Sequence, residues 1–278
     1  MIGKSHVEWH TGKPLTITID ATVLEARCWG PAPSQAPTNV LLHEGLGSVG
    51  LWKDFPGRLA ECSGHGVFAY SRAGYGNSDR APLPRPLDYM TREAVSVLPK
   101  VLEKIGFRRG VLLGHSDGAS IAVIYAGSVE DFRIRGLCLF APHFFTEPMG
   151  LASIAKARAA FESNGLRDRL AKHHADPDNA FRGWNDAWLD PGFENWNIEE
   201  TIPYLRVPVL AVQGRQDQYG TAAQIDALRA GLYAPIDVVL LDDCGHAPHI
   251  DQPDETLAAV ADYLARLGRI EAATPGPP

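Results

Sequence analysis

A doubly wound α/β protein, its sheet mostly parallel and flanked by helices, is the fold class this sequence predicts. Three observations carry that prediction. Six short, solidly apolar runs recur along the chain, a pattern suited to strands buried on both faces. Segments with helical spacing alternate with them, as crossover connections in one sheet require. One long stretch, residues 142–204, breaks the alternation and reads as helices inserted between two strands.

Two further strands come first. Thr16-Ile17-Thr18-Ile19 and Val23-Leu24-Glu25-Ala26 alternate in polarity and flank a turn near Asp20-Ala21, which predicts an antiparallel hairpin with one wet face. A proline-rich loop over 31–37 follows. The solid runs are then Val40-Leu41-Leu42, Val67-Phe68-Ala69-Tyr70, Val111-Leu112-Leu113, Leu137-Cys138-Leu139-Phe140, Val209-Leu210-Ala211-Val212 and Val238-Val239-Leu240-Leu241. Helices are predicted over 89–105, 117–129, 221–231 and 254–267. In the inserted stretch, Phe181, Trp184 and Trp188 share one helix face. The expected organisation is a core of residues 1–141 and 205–278 interrupted by a helical cap at 142–204. Residues 272–278, rich in Pro and Gly, are expected to fray.

Composition limits the function. With 278 residues, 45% hydrophobic and 21% charged, the chain suits an ordinary soluble domain. A net charge of −7 argues against a nucleic-acid partner. No apolar run approaches the ~20 residues that cross a bilayer, so no membrane partner is expected. Met1–His10 has no apolar signal core. Cys28, Cys62, Cys138 and Cys244 include no C-x-x-C pair and read as reduced thiols of a cytoplasmic protein.

The chemistry concentrates at strand ends. Gly114-His115-Ser116-Asp117-Gly118 follows the run 111–113 and opens a helix, the setting of a G-x-S-x-G nucleophile elbow. The glycines permit a turn too tight for side chains, and Ser116 then projects above a helix N-terminus that favours negative charge. A serine nucleophile needs a base, and the base an orienting acid. Asp217 follows the run 209–212 and His246 the run 238–241, both where open α/β sheets bind ligands. They fit those roles, with Asp242, Asp243 and His249 as weaker competitors. The two N–H groups of an oxyanion hole are expected from Asp117 and from Gly45, with Leu46 next, in the loop His43-Glu44-Gly45-Leu46-Gly47-Ser48.

Together with Ser71-Arg72-Ala73-Gly74-Tyr75-Gly76-Asn77-Ser78, these motifs resemble the α/β-hydrolase superfamily, capped branch, over about residues 15–267. The resemblance implies an eight-stranded-type sheet, serine chemistry and no metal or cofactor. Departures are Glu44, where the family usually has glycine, and Asp117 after the nucleophile. Ser116 itself argues against dehalogenase and epoxide-hydrolase chemistry, which use aspartate.

Asp117 also resembles the aspartate of biphenyl-hydrolase-like amino-ester hydrolases, which receives a substrate ammonium. Its other role is to cap the helix it begins. Glu44 is a loop brace or a pocket acid. Phe144, Trp184 and Trp188 are candidate pocket residues, and the cap tryptophans could equally form the cap's own core. His115 reads as packing, and His173-His174 as a solvated helix end. The expected activity is hydrolysis of a small carboxylic ester through Ser116, His246 and Asp217. Thioester, amide, α-amino-ester and carbon–carbon hydrolysis, and peroxide-dependent perhydrolysis, are alternatives on the same fold. A receptor-like binding protein is the alternative of another class.

Overall fold

The computed structural model describes residues 7–163 and 165–273. The two alternating segments and the six apolar runs are all strands: β1 (Pro14–Ile19), β2 (Thr22–Trp29), β3 (Thr38–Leu42), β4 (Gly66–Tyr70), β5 (Gly110–His115), β6 (Ile134–Phe140), β7 (Val209–Gly214) and β8 (Ile236–Leu241). They form one sheet in the order β1-β2-β4-β3-β5-β6-β7-β8. The β1–β2 and β2–β4 pairs are antiparallel and the other five are parallel. Strands β3, β4, β5 and β7 are buried at every position, which is why they read as solid apolar runs.

Helices cover both faces. On one side lie α1 (Phe55–Ser63) and the C-terminal helix α10 (Pro253–Ala273). Their Phe55, Leu59, Val260, Tyr263 and Leu264 pack with Leu41, Val67, Leu113 and Val212 of the sheet. On the other side, α3 (Leu98–Lys104), α4 (Asp117–Ser128) and α8 (Ala222–Gly231) pack on Val40, Phe68, Leu112 and Leu137. Helix α1 escaped sequence reading because it is short and holds Pro56 and Gly57. The helix expected over 89–105 is also interrupted: α2 (Tyr89–Arg92) leads into a π-helical turn at 93–97 before α3. Pro99 has no N–H to give back to the preceding turn, and the ladder is rearranged just before it.

Between β6 and β7, residues 142–204 hold α5 (Pro148–Ser163), α6 (Leu166–Leu170) and α7 (Pro177–Trp188). Among the described residues the only strand-like pairing there is a single bridge, Phe145–Asn197. Helix α7 starts on the Asp176 side chain, which accepts from Asn179 N–H, and buries Phe181, Trp184 and Trp188 as their spacing predicts. Phe181 stacks on Phe161 of α5 with ring centroids 3.9 Å apart, so α5 and α7 form one apolar layer. A last short helix, α9 (Pro248–Asp251), precedes α10, which ends at Ala273; the rest of the tail expected to fray lies outside the described residues. The four cysteines are free thiols. Among the described residues no helix is long and apolar enough to cross a membrane.

Candidate active site

Ser116 stands between β5 and α4 with φ 54° and ψ −118°. Such an angle costs a non-glycine residue on the order of 1–3 kcal/mol and persists only where the surroundings impose it. They do so here. A Cβ on Gly114 would lie 2.2 Å from the Gly118 carbonyl oxygen, and one on Gly118 would lie 1.9 Å from that of Leu42. Strand and helix thus meet closer than any side chain permits, and the serine is thrown outward at their junction.

His246 follows β8, and its Nδ1 lies 2.9 and 2.8 Å from the two carboxylate oxygens of Asp217, after β7. The Asp217 carboxylate also accepts from Tyr219 N–H at 2.8 Å, Gly220 N–H at 3.3 Å and Gln213 Nε2 at 2.8 Å. Against the cost of burial, these donors and the imidazole hold the Asp217 carboxyl below its ordinary range. With Nδ1 engaged by Asp217, Nε2 is the remaining ring nitrogen, and Ser116 and His246 line one cavity. His249, the competing base, is packed against Trp52, Phe55 and Phe140, where burial pushes it down to about 3.

The loop after β3 is held by its carbonyls. The Glu44 carbonyl accepts from His43 Nδ1–H at 2.7 Å, from Arg72 Nη2 at 3.0 Å and from Gly47 N–H at 3.0 Å. A trans peptide points its N–H opposite to its C=O, so the Gly45 N–H is turned away from these donors. The same holds across the elbow. The Ser116 carbonyl accepts from Ala119 and Ser120 N–H, which turns the Asp117 N–H the other way. Among the described residues, no hydrogen bond engages the N–H of Gly45, Leu46 or Asp117. Glycine at 45 is also demanded by contact: a Cβ there would lie 2.2 Å from the Trp184 indole.

The two carboxylates beside the elbow part company. Asp117 is fully buried and does not line the cavity. Nor does its side chain cap α4, since Oδ1 has no hydrogen-bond partner and Oδ2 is taken by Tyr89. It turns instead to Tyr89, whose hydroxyl donates to Oδ2 and itself accepts from Trp188 Nε1 at 3.0 Å, with Arg72 Nη2 at 3.9 Å. Both roles weighed for Asp117, helix cap and ammonium acceptor, are therefore corrected: the tyrosine and arginine claim the side chain first. Phe144 is likewise fully buried and off the cavity. Glu44 does both things weighed for it, bonding His115 Nδ1 through Oε2 at 3.3 Å and lining the cavity.

The space between the cavity's walls, its open mouth included, is about 540 Å³. The insertion supplies Glu147, Leu151, Ile154, Trp184 and Trp188, and the core supplies Glu44, Gly45, Leu46, Ser116, Tyr219 and His246. Sequence reasoning missed His143, Glu147, Leu151, Ile154 and Tyr219. For His143 and Tyr219 a signal existed, since both follow strand ends; the others carry no local pattern. His143 lines the cavity, its ring 5.5 Å from that of His246, and burial lowers it to about 3. His174 is not solvated as expected: buried, it accepts from Gly76 N–H at 2.9 Å and donates to the Leu46 carbonyl at 3.0 Å.

Fold and site together define a hydrolase of the strand-end, elbow-bearing α/β kind. Residues 40–260 match the alpha/beta hydrolase family, and the chain belongs to it. A proline iminopeptidase of Lactobacillus helveticus is 22% identical over 272 residues, covering 83% of this chain and 90% of that protein. Another, from Lactobacillus delbrueckii subsp. lactis, is 33% identical over 113 residues, 41% of this chain; the match spans only 38% of that protein's length. Among solved structures, the enol-lactonase of Burkholderia xenovorans LB400 superimposes with a TM-score of 0.71 at 19% identity, covering 90% of this chain and 100% of that one. An esterase from Thermogutta terrifontis does so at 0.69 and 18%, covering 92% and 99%. At such identities the structures share the fold.

Proposed function

We propose that the protein is a serine hydrolase that cleaves a small carboxylic ester, with residues 142–204 as the cap over its site. The His246–Asp217 pair facing the same cavity as the strained Ser116 carries this reading. Ser116 Oγ attacks the carbonyl carbon while His246 Nε2 takes its proton, and Asp217 fixes the tautomer and stabilises the imidazolium. The oxyanion lies on the N–H groups of Asp117 and Gly45, each held ready by the carbonyl bonds behind it, with Leu46 next to them. His246 returns the proton to the departing alkoxide, and water hydrolyses the acyl-enzyme by the same path. Leu151, Ile154, Trp184 and Trp188 suit an apolar acyl or alkyl group. The free thiols fit a cytoplasmic setting.

A second reading, release of a small N-terminal residue from an amide, draws on the relatives' name. It also draws on a cavity wall with Glu44 and Glu147 and neither lysine nor arginine. It ranks second because Glu147 already accepts from Thr221 and Gln224, and Glu44 from His115. Assay of p-nitrophenyl butyrate against proline p-nitroanilide separates the two. Ser116→Ala is expected to lower turnover of the preferred substrate by at least ~10³-fold in a folded protein. Near-normal turnover by that variant would remove Ser116 as nucleophile, and stoichiometric binding without turnover would favour a receptor.

A further inference from the structure

His115 precedes Ser116 and is 2% exposed. Its Nε2 lies 2.7 Å from the His246 carbonyl oxygen and its Nδ1 lies 3.3 Å from Glu44 Oε2. Both partners are acceptors. A carbonyl never donates, a carboxylate donates only when protonated, and a neutral imidazole has one N–H. The His115–Glu44 pair therefore holds one proton more than a neutral ring beside a carboxylate.

The surroundings place that proton on the ring. Facing His115 are Glu44 after β3, Asp217 after β7, His143 after β6, and His246 and His249 after β8. His143 and His249 are both lowered to about 3 by burial and stay neutral. Two carboxylates remain to favour a cation, and they raise His115 against its own burial, while His115 holds Glu44 low. An imidazolium here does two things. It donates to the backbone of the histidine-bearing loop, and it cancels a carboxylate attached to the loop that carries the Gly45 N–H. Left bare, that carboxylate would oppose a negative charge growing on the substrate oxygen.

We propose that His115 is a positioning residue for the Ser116 chemistry: a doubly bonded imidazolium that ties the His246 loop to the Glu44 loop and neutralises Glu44 beside the oxyanion donors. The proposal rests on the reading of Ser116 and His246 given above. When the pair loses its proton to solvent, the Glu44 carboxylate faces a bare Nδ1 and its charge is uncovered.

The test is the pH profile of ester hydrolysis, with p-nitrophenyl butyrate as probe. For the wild type, kcat is expected to fall by about fivefold or more on the alkaline side along a one-proton limb, with KM little changed. Glu44→Gln removes the charge to be uncovered and is expected to abolish that limb. His115→Gln should lower kcat about 30-fold at near-constant KM, and adding Glu44→Gln should restore about tenfold, a rescue that mere packing would not give. A wild-type profile flat to high pH, or an unchanged limb in Glu44→Gln, overturns the proposal, and neither measurement depends on His115→Gln folding. Ser116→Ala, run alongside, separates the failures. If it is inactive and the limb is absent, only the role of His115 is lost; if it is active, the nucleophile reading falls.

Discussion

Two acidic side chains flank the candidate nucleophile, and they live in opposite surroundings. Asp117 lies off the cavity, sealed under Tyr89, Trp188 and Arg72, with Oδ1 left without a hydrogen-bond partner. Burial raises its pKa even against the arginine. Glu44 lies on the cavity side, partly exposed, and His115 and His43 lower its pKa despite burial. One carboxylate thus braces the protein at an electrostatic cost, and the other is stabilised where substrate would arrive. Adjacency to the serine along the chain says little about access to it. What decides is which cations and hydroxyls reach the carboxylate first.

Breaking the sealed side should cost most. Arg72 is 2% exposed, and its guanidinium binds the His43 and Glu44 carbonyls as well as facing Asp117. Arg72→Met leaves the buried Asp117 carboxylate without its counter-ion and the His43 carbonyl without its guanidinium donor, so a loss of about 3–5 kcal/mol is expected in chemical denaturation. An unfolding midpoint near that of the wild type would refute the sealed picture.

Next comes Asp117 itself. Asp117→Ala strands the Tyr89 hydroxyl and should cost about 2–3 kcal/mol, whereas Asp117→Asn keeps an acceptor there and should cost under about 1 kcal/mol. Because the side chain never reaches the cavity, Asp117→Asn should change kcat/KM for an amino-acid ester and its des-amino analogue by the same factor. A selective loss on the amino ester would return Asp117 to the pocket.

The smallest effect belongs to Glu44. Its depressed pKa means that the unfolded chain binds a proton first as pH falls. The stability it contributes is therefore present above the ordinary glutamate value, near 4.3, and is lost below it. Asp117 has the opposite sign, since its raised pKa makes the native state the proton binder and its penalty grows as pH rises past about 3.9. Glu44→Gln should therefore flatten the acid-side loss of stability, and Asp117→Asn should not. Denaturation midpoints measured across the acid range check this.

How much of this was legible without coordinates follows the reach of each signal. The strands could be read because burial on both faces leaves solid apolar runs, and the loops at 43–48, 217 and 246 could be placed by the strands they follow. The elbow carried its own glycines. The place of the Asp117 side chain was not legible because its partner Tyr89 lies 28 residues earlier. Helix-cap propensity is local, and the distant hydroxyl outbid it. Leu151 and Ile154 went unseen because a cavity wall is assembled from segments that share no pattern.

The insertion touches both elements that carry candidate oxyanion donors. Trp184 sits against Gly45 so closely that only glycine fits beneath it, and Trp188 reaches Asp117 through the Tyr89 hydroxyl. The two indoles belong to one helix and answer to three residues scattered through the core. The insertion is therefore not an interchangeable module. A segment grafted from a relative would arrive without its glycine and its tyrosine, and would have to bring both along before it could seat.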